Sequence, residues 1–334
     1  MSTTCKSPRK VAQVALDVGT DALKLYSHGF SPRKFTQPQL FACLVLKKFY
    51  QTDYRGIAAI LADNSDLRQT LGLQTVPHFT TIQKAGRRLL CNTPAQALLD
   101  QTLQHARPRR KRKRSRASVK RAALDASGFE AQPVSHSFVR RRAQGETGWQ
   151  STTYSRFPKL AVLCDCDTHL ILAAVPGRGP GPDITHFEPA LCQALRRCEL
   201  GALYADAGYD AEWVHNVARR DLGVRTIIPA RIGRPTEKAP SGYWRKVMRE
   251  RMHLTNHGQR WQDETVMSML KRRQGSAVNA TTYWSQSRAL MLMAITHNVL
   301  ILYAPTEPRR SAAREVLYRA GQEPFLPRCM ACGL

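Results

Sequence analysis

Residues 119–129 read VKRAALDASGF, and residues 160–175 read LAVLCDCDTHLILAAV. Short apolar runs bounded by turn residues are typical of β-strands. They predict one strand over 119–125 and two more over 160–166 and 169–175. These three strands come before any helix in this half of the chain, so they should form the first part of a sheet.

The segments that follow alternate between helix and strand. Residues 184–198 and 211–222 have the apolar spacing of helices, and 203–206 and 224–229 predict two further short strands. The order β-β-β-α-β-α-β predicts an α/β fold with a mixed five-stranded sheet flanked by helices. That order matches the RNase H-like fold.

The first hundred residues predict an all-helical region. Residues 36–38 (TQP) are a helix start, with an N-cap candidate and a proline in the first turn. Helices are predicted over 39–50, 54–62 and 80–90, the last carrying Lys84, Arg87 and Arg88. Short helices joined by tight turns are compatible with a helix-turn-helix DNA reader and equally with a plain bundle whose cations are solvated.

The charge balance points to a polyanionic partner. The chain has 334 residues with 51 Lys and Arg against 25 Asp and Glu, a formal net charge of +26. Nucleic acid is the first expected partner and an anionic membrane surface the second. No signal peptide is recognisable, and the longest apolar run, 289–303, is too short to span a bilayer. The nine cysteines are interpreted as reduced thiols of a cytoplasmic protein.

Residues 107–121 contain ten Lys and Arg and no acid. Such a block repels itself and predicts an extended arm rather than a packed segment. It is a solvated connector, a nuclear-localisation signal or an arm along DNA phosphates, and the last is favoured. The predicted organisation is a helical N-terminal DNA-binding domain (1–104), a basic linker arm (105–121), an α/β domain (122–305) and a tail (306–334). The arm's candidate DNA contacts are Arg107, Arg109, Arg110, Lys111, Arg112, Lys113 and Arg114.

Two acids follow apolar strand patterns in this basic chain. Asp125 ends the first predicted strand and Asp206 ends the fourth. Either alone is most simply a turn or capping residue. In an RNase H-like sheet the first and fourth strands are neighbours, about 4.8 Å apart, so the pair could share a divalent metal ion.

A third acid is available in residues 257–275, HGQRWQDETVMSMLKRRQG. At 100° per residue, a helix would put His257, Arg260, Glu264 and Lys271 on one side. Met267 and Leu270 border that side and could pack on the sheet. The alternative is an ordinary surface helix with an ion pair between Arg260 and Glu264.

These motifs together resemble the DDE transposases of insertion sequences, in the group with a Tyr-Arg-Glu-Lys signature. LDASGF at Asp125, YADAGYD at Asp206 and the Arg260, Glu264 and Lys271 spacing carry the resemblance, with His257 at the expected Tyr position. Residues 157–165 (FPKLAVLCD), 181–191 (GPDITHFEPAL) and 71–81 (LGLQTVPHFTT) also resemble the family. Asp183 in the second of these is expected to cap the helix that follows it.

The resemblance implies a transposase that cleaves element ends and joins them to target DNA. It implies Asp125, Asp206 and Glu264 as ligands of two Mg²⁺ or Mn²⁺ ions, which prefer oxygen ligands. It further implies that His257, Arg260, Lys271 and Lys159 contact DNA, that the DNA complex holds a homodimer, and that the protein acts in the cytoplasm at the nucleoid. Three alternatives are an inactive or domesticated DNA-binding descendant, another RNase H-like endonuclease, and a basic RNA-binding protein.

Overall fold

A mixed five-stranded sheet lies at the centre of the computed structural model, which describes residues 4–107, 117–131, 157–230, 240–255 and 257–302. The strands are β1 Ala117–Gly128, β2 Glu130–Ala131, β3 Phe157–Asp165, β4 Ile171–Gly179, β5 Cys198–Ala205, β6 Arg225–Ile227 and β7 Ala277–Val278. The order in the sheet is β4-β3-β1-β5-β6, and β2 pairs separately with β7. Strand β3 is antiparallel to β1 and β4, whereas β5 is parallel to β1 and β6. The predicted α/β fold is therefore confirmed.

Helices surround the sheet and form the N-terminal region. They are α1 Pro8–Ala22, α2 Gln37–Phe49, α3 Tyr54–Asp63, α4 Ser65–Thr70, α5 Phe79–Leu89, α6 Asn92–His105, α7 Phe187–Arg197, α8 Glu212–Asn216, α9 Tyr243–Arg251, α10 Trp261–Gln274 and α11 Tyr283–Leu302. The start predicted at 36–38 is confirmed, because Thr36 and Gln39 form a reciprocal capping box on α2. Gly72, at φ 61°, follows α4 in the left-handed conformation that favours glycine.

Four strands are longer than the sequence predicts, and β1 and β5 gain the most residues. Strand β1 runs on to Gly128, because its antiparallel neighbour β3 continues beside it as far as the pair Gly128–Lys159. Strand β5 begins at Cys198, which pairs with Ala117 at the start of β1. Backbone pairing extends β1 over Ala126, Ser127 and Gly128, which carry no apolar strand pattern. The first residues of β5, Cys198 to Leu200, do alternate between buried and exposed positions.

The two faces of the sheet are covered differently. On one face α7 and α8 pack through residues such as Phe187, Leu191 and Val214. On the other face lie α10 and α11, and helices α1, α2 and α6 pack over α11. Helix α11 is buried on all sides along 290–300 because it lies between the sheet and the N-terminal helices. One continuous apolar core thus joins the N-terminal helices to the sheet.

A buried amide links three of these layers. The Asn298 side chain on α11 bonds both backbone groups of Ile171 on β4, accepting from its N–H at 2.8 Å and donating to its carbonyl at 2.9 Å. The same amide donates to the Thr102 hydroxyl on α6 at 3.0 Å. Such a fully satisfied buried polar group fixes the relative position of helix and strand. Within the described residues, no helix is long and apolar enough to cross a membrane.

Candidate active site

Asp125 and Asp206 lie side by side at one edge of the sheet. The parallel pairing of β1 and β5 ends at Leu124 and Ala205, and each acid is the next residue on its strand. Asp125 Oδ1 accepts a hydrogen bond from the Ala126 N–H at 2.8 Å, and Asp206 Oδ1 accepts one from the Gly208 N–H at 2.9 Å. The predicted adjacency of these two acids is confirmed.

Burial and neighbouring acids disfavour the ionised form of Asp125. Burial is the main cause that raises the pKa of Asp125 from 3.8 to about 6, and the charges of Asp206 and Asp183 raise it further. The Ala126 N–H and the Arg260 guanidinium act in the opposite direction. The site therefore concentrates negative charge that its own cations do not balance, as expected where a divalent cation binds.

Another acid, Asp183, lies near Asp125 and is paired with a buried lysine. The Lys159 ammonium, 7% exposed, forms an ion pair with Asp183 and donates to the Gly181 carbonyl at 2.7 Å. Asp183 begins a 3₁₀ turn, Asp183–His186, whose cap position is Pro182 and which has no side-chain cap hydrogen bond. The expectation that Asp183 caps the helix is wrong, because a buried ammonium requires a counter-charge and holds this carboxylate.

The N-terminal turn of α10 presents two acids in different directions. Glu264 has a half-exposed side chain and forms an ion pair with Arg260 at 2.8 Å. Asp263 is fully buried against the sheet beside Cys164, and Asp125 is the first of the charges that raise its pKa. Residues 257–260 form a 3₁₀ turn. The rotation of 100° per residue that holds in an α-helix therefore does not hold between His257 and Glu264.

Sequence reasoning selected Glu264 and passed over Asp263. A signal was available, because Asp263 shares the spacing i, i+3, i+4, i+7 with Val266, Met267 and Leu270, all of which are buried. The prediction that Met267 and Leu270 pack on the sheet is confirmed.

Two further predicted DNA contacts lie close to the acids. The Lys271 ammonium donates to the Ser127 hydroxyl at 2.7 Å and lies 5.2 Å from the centre of the Phe129 ring. Ser127 is two residues beyond Asp125 on β1, so Lys271 reaches the edge where the acids lie. His257 Nε2 is buried without a hydrogen-bond partner among the described residues.

The second acidic motif also anchors a basic helix that the sequence did not predict. Arg245 on α9 makes a two-pronged ion pair with Asp210, through Nε at 3.0 Å and Nη2 at 2.7 Å. Glu212 accepts hydrogen bonds from the backbone N–H groups of Trp244 and Arg245, the N-terminal turn of α9. The segment that follows Asp206 is therefore bonded to α9 through Asp210 and Glu212.

The remaining predicted DNA contacts are distributed over the N-terminal half. Lys84, Arg87 and Arg88 are exposed on one side of α5, and Arg88 Nε donates to the Gln37 side chain at 3.1 Å. Arg107 follows the end of α6, whereas Arg109, Arg110, Lys111, Arg112, Lys113 and Arg114 lie outside the described residues. Strand β1 begins at Ala117, so the last residues of the predicted arm belong to the sheet.

The donor chemistry of the site fits a hard divalent cation. Asp125 and Asp206 offer carboxylate oxygens from the ends of adjacent strands, and the buried Asp263 carboxylate interacts with the Cys164 thiol. The described residues contain no group of three acids, His or Cys already placed to hold an ion.

Comparison with known families identifies the domain. A family model described as a transposase DDE domain matches residues 118–299, from the start of β1 into the last turns of α11. The matched range includes every acid described above. No curated protein matches the chain in a sequence search.

Proposed function

Because the chain belongs to the transposase DDE domain family, we propose that it cleaves insertion-sequence ends and joins them to target DNA at Asp125, Asp206 and Glu264. It is a transposase, an enzyme that binds and cuts DNA, and its family generally uses divalent metal ions. The observation that carries the proposal is the adjacency of Asp125 and Asp206 where the pairing of β1 and β5 ends. Two neighbouring carboxylates in a chain of net charge +26, one of them with a raised pKa, support a functional role for the pair.

The metal-binding role is assigned to Asp125 and Asp206 from the sheet and to Glu264 from α10. Two bound Mg²⁺ or Mn²⁺ ions would activate the attacking oxygen and stabilise the leaving oxygen of an in-line phosphoryl transfer. Glu264 would exchange its ion pair with Arg260 for this role, which leaves the Arg260 guanidinium available to a phosphate. Arginine presents two parallel donors that match phosphate oxygens.

Other cations would hold the DNA around the cut. Lys271 lies beside Ser127 and is proposed to bind a phosphate next to the scissile one, with His257 as a further donor. Lys159 is proposed to contact the same DNA strand as Lys271. Its charge is already balanced by the ion pair with Asp183. The exposed cations of α5 and the basic arm would bind DNA further from the cut. A homodimer is proposed to hold the two element ends, acting at the nucleoid.

Two alternative functions would give different DNA products from those of a transposase. A domesticated DNA-binding descendant would bind element ends without cutting them, and another RNase H-like endonuclease would cut without joining. The presence of Asp125, Asp206 and Glu264 favours a transposase over the inactive descendant. Arg260 and Lys271, on the segment that carries Glu264, and the separate helical N-terminal region favour it over a plain endonuclease.

The test uses a DNA fragment that carries an inverted repeat flanking the gene, together with a supercoiled target plasmid. With Mg²⁺ or Mn²⁺ we expect a cut at the repeat end and a joined fragment–plasmid product, and neither in chelator. Binding without cutting would support the DNA-binding descendant. Cutting without preference for the repeat and without joined product would support the plain endonuclease.

A further inference from the structure

His169, in the turn between β3 and β4, has an unusual backbone conformation. Its φ is 61°, in the left-handed region that is uncommon for residues other than glycine. Both of its backbone groups are bonded: the N–H donates to the Asp165 carbonyl at 2.8 Å, and the carbonyl accepts from His297 Nε2 of α11 at 3.0 Å. A disfavoured conformation that its surroundings hold so firmly is often found where a side chain serves a site.

The side chain of His169 bonds the first turn of α10. Its Nε2 lies 2.6 Å from Gln262 Oε1, and because an amide oxygen only accepts, the imidazole donates this bond. Gln262 is the second residue of α10 and comes two residues before Glu264. The turn between β3 and β4 is therefore connected directly to the segment that carries the proposed third acid.

The other end of α10 shows the same arrangement. Among the described residues, His169 and Gln51 are the two that adopt a positive φ without being glycine. The Gln51 amide donates to the Arg273 carbonyl, in the last turn of α10, at 3.2 Å. Both side chains that are held in this disfavoured conformation thus bond α10, one at each end.

The bond to His169 determines which way the first turn of α10 faces. At 100° per residue, Gln262 and Glu264 are about 200° apart around the helix and so point to nearly opposite sides. Helix α10 packs on β1 and β3. With Gln262 held at the β3–β4 turn, Glu264 is on the side of α10 away from that turn. In the sheet order β4-β3-β1-β5-β6 this is the side of β1 and β5, where Asp125 and Asp206 lie.

We propose that His169 is a positioning residue, whose bond to Gln262 fixes the rotation of the first turn of α10 and so directs Glu264 toward Asp125 and Asp206. The inference rests on the proposed function, in which Glu264 is a metal ligand. Metal ligands are commonly oriented by a second layer of hydrogen-bonded residues. Here that layer acts through the helix backbone and not on the carboxylate itself.

Two substitutions remove the bond from opposite sides. His169→Asn keeps a residue that tolerates the left-handed conformation, but its side chain is too short to reach Gln262. Gln262→Met leaves the turn unchanged and removes the acceptor at similar side-chain length. Gln259→Met is the matched control, because within the described residues Gln259 bonds only through its backbone. Mn²⁺ binding is measured by calorimetry without DNA, and thermal unfolding is measured in chelator, so neither depends on cleavage.

We expect His169→Asn and Gln262→Met each to weaken Mn²⁺ binding about tenfold, the lower end of the usual effect of removing an outer-layer partner. The double variant should bind no more weakly than either single variant, because both remove the same bond. In a Glu264→Gln background, His169→Asn should cause no further loss, since its effect passes through Glu264. Gln259→Met should bind Mn²⁺ like the wild type. Melting temperatures should stay within about 3 °C of wild type, the effect of one hydrogen bond in a chain of this size.

Wild-type Mn²⁺ affinity in Gln262→Met would overturn the inference, whatever His169→Asn does to the melting temperature. Losses that add in the double variant would also overturn it, as would a further loss from His169→Asn in the Glu264→Gln background. In each of these cases the wild type still binds Mn²⁺, so the proposed function stands. Absence of Mn²⁺ binding by the wild type would instead overturn the proposed metal site, and the role of His169 with it.

Discussion

At the scale of single residues, the raised pKa of Asp125 means that ionisation of this carboxyl lowers the stability of the metal-free protein. The carboxyl ionises at about 6 in the folded protein and near 3.8 otherwise, because of burial and the nearby acids. The folded state therefore binds the proton more tightly, and stability falls as pH rises from about 4 to 6. Above about pH 6 ionised Asp125 lowers the free energy of unfolding by its full amount, and below about pH 4 it has no effect.

Asp125→Asn mimics the neutral carboxyl and should stabilise the metal-free protein at pH 8. The shift corresponds to at most about 3 kcal/mol, since one pKa unit is about 1.4 kcal/mol. We expect the gain in free energy of unfolding, measured with urea in chelator, to vanish at pH 4. Asp63→Asn, at the exposed end of α3, serves as the control and should change little at either pH. A loss of stability in Asp125→Asn at pH 8 would contradict this electrostatic account.

The sequence was enough to locate Asp125 and Asp206, because each follows an apolar strand pattern. It was not enough to find the ion pair that Asp183 makes. The partner of Asp183, which begins a 3₁₀ turn, is Lys159 on β3, 24 residues earlier in the chain. Such groupings depend on tertiary contacts that no local pattern encodes.

At the scale of elements, the unequal lengths of β1 and β5 create the site. Strand β5 ends at Ala205, whereas β1 continues along β3 to Gly128. Asp206 is thereby released into a turn beside Asp125, which remains in a strand. The sequence predicted that these strands are neighbours, but it predicted that both acids end their strands.

Helix α10 is tied to the N-terminal helices at its C-terminal end. The Lys48 ammonium donates to the Gln274 carbonyl at 3.0 Å, and the Gln51 amide donates to the Arg273 carbonyl at 3.2 Å. These bonds satisfy carbonyls that the helix itself leaves unpaired. The helix that carries Glu264 and Lys271 is thus positioned by the sheet and by the helical region together.

At the scale of the whole molecule, part of the net charge of +26 is concentrated in one short segment of the sequence. The basic segment 109–114 joins α6 to β1 and contains only Arg and Lys. If each of its side chains neutralises one phosphate, removing one such side chain should reduce the slope of log K against log salt by about 0.9. Replacing all six residues by Gln should therefore flatten that slope by up to about 5.

The measurement is duplex binding by fluorescence anisotropy over a range of salt concentrations. A variant with six Lys in this segment keeps the charge and should keep the wild-type slope. An unchanged slope in the Gln variant would show that the segment is a connector and does not bind phosphates.

The most direct test of the central claim is cleavage of repeat-bearing DNA by Asp125→Asn and Asp206→Asn in Mg²⁺. Removing a ligand should cost several kcal/mol of transition-state stabilisation, so the cleavage rate should fall by about a thousandfold or more. DNA binding should stay within a few fold of wild type, and Asp63→Asn should cleave normally. Cleavage at the wild-type rate by either site variant would contradict the claim that this carboxylate pair cuts DNA.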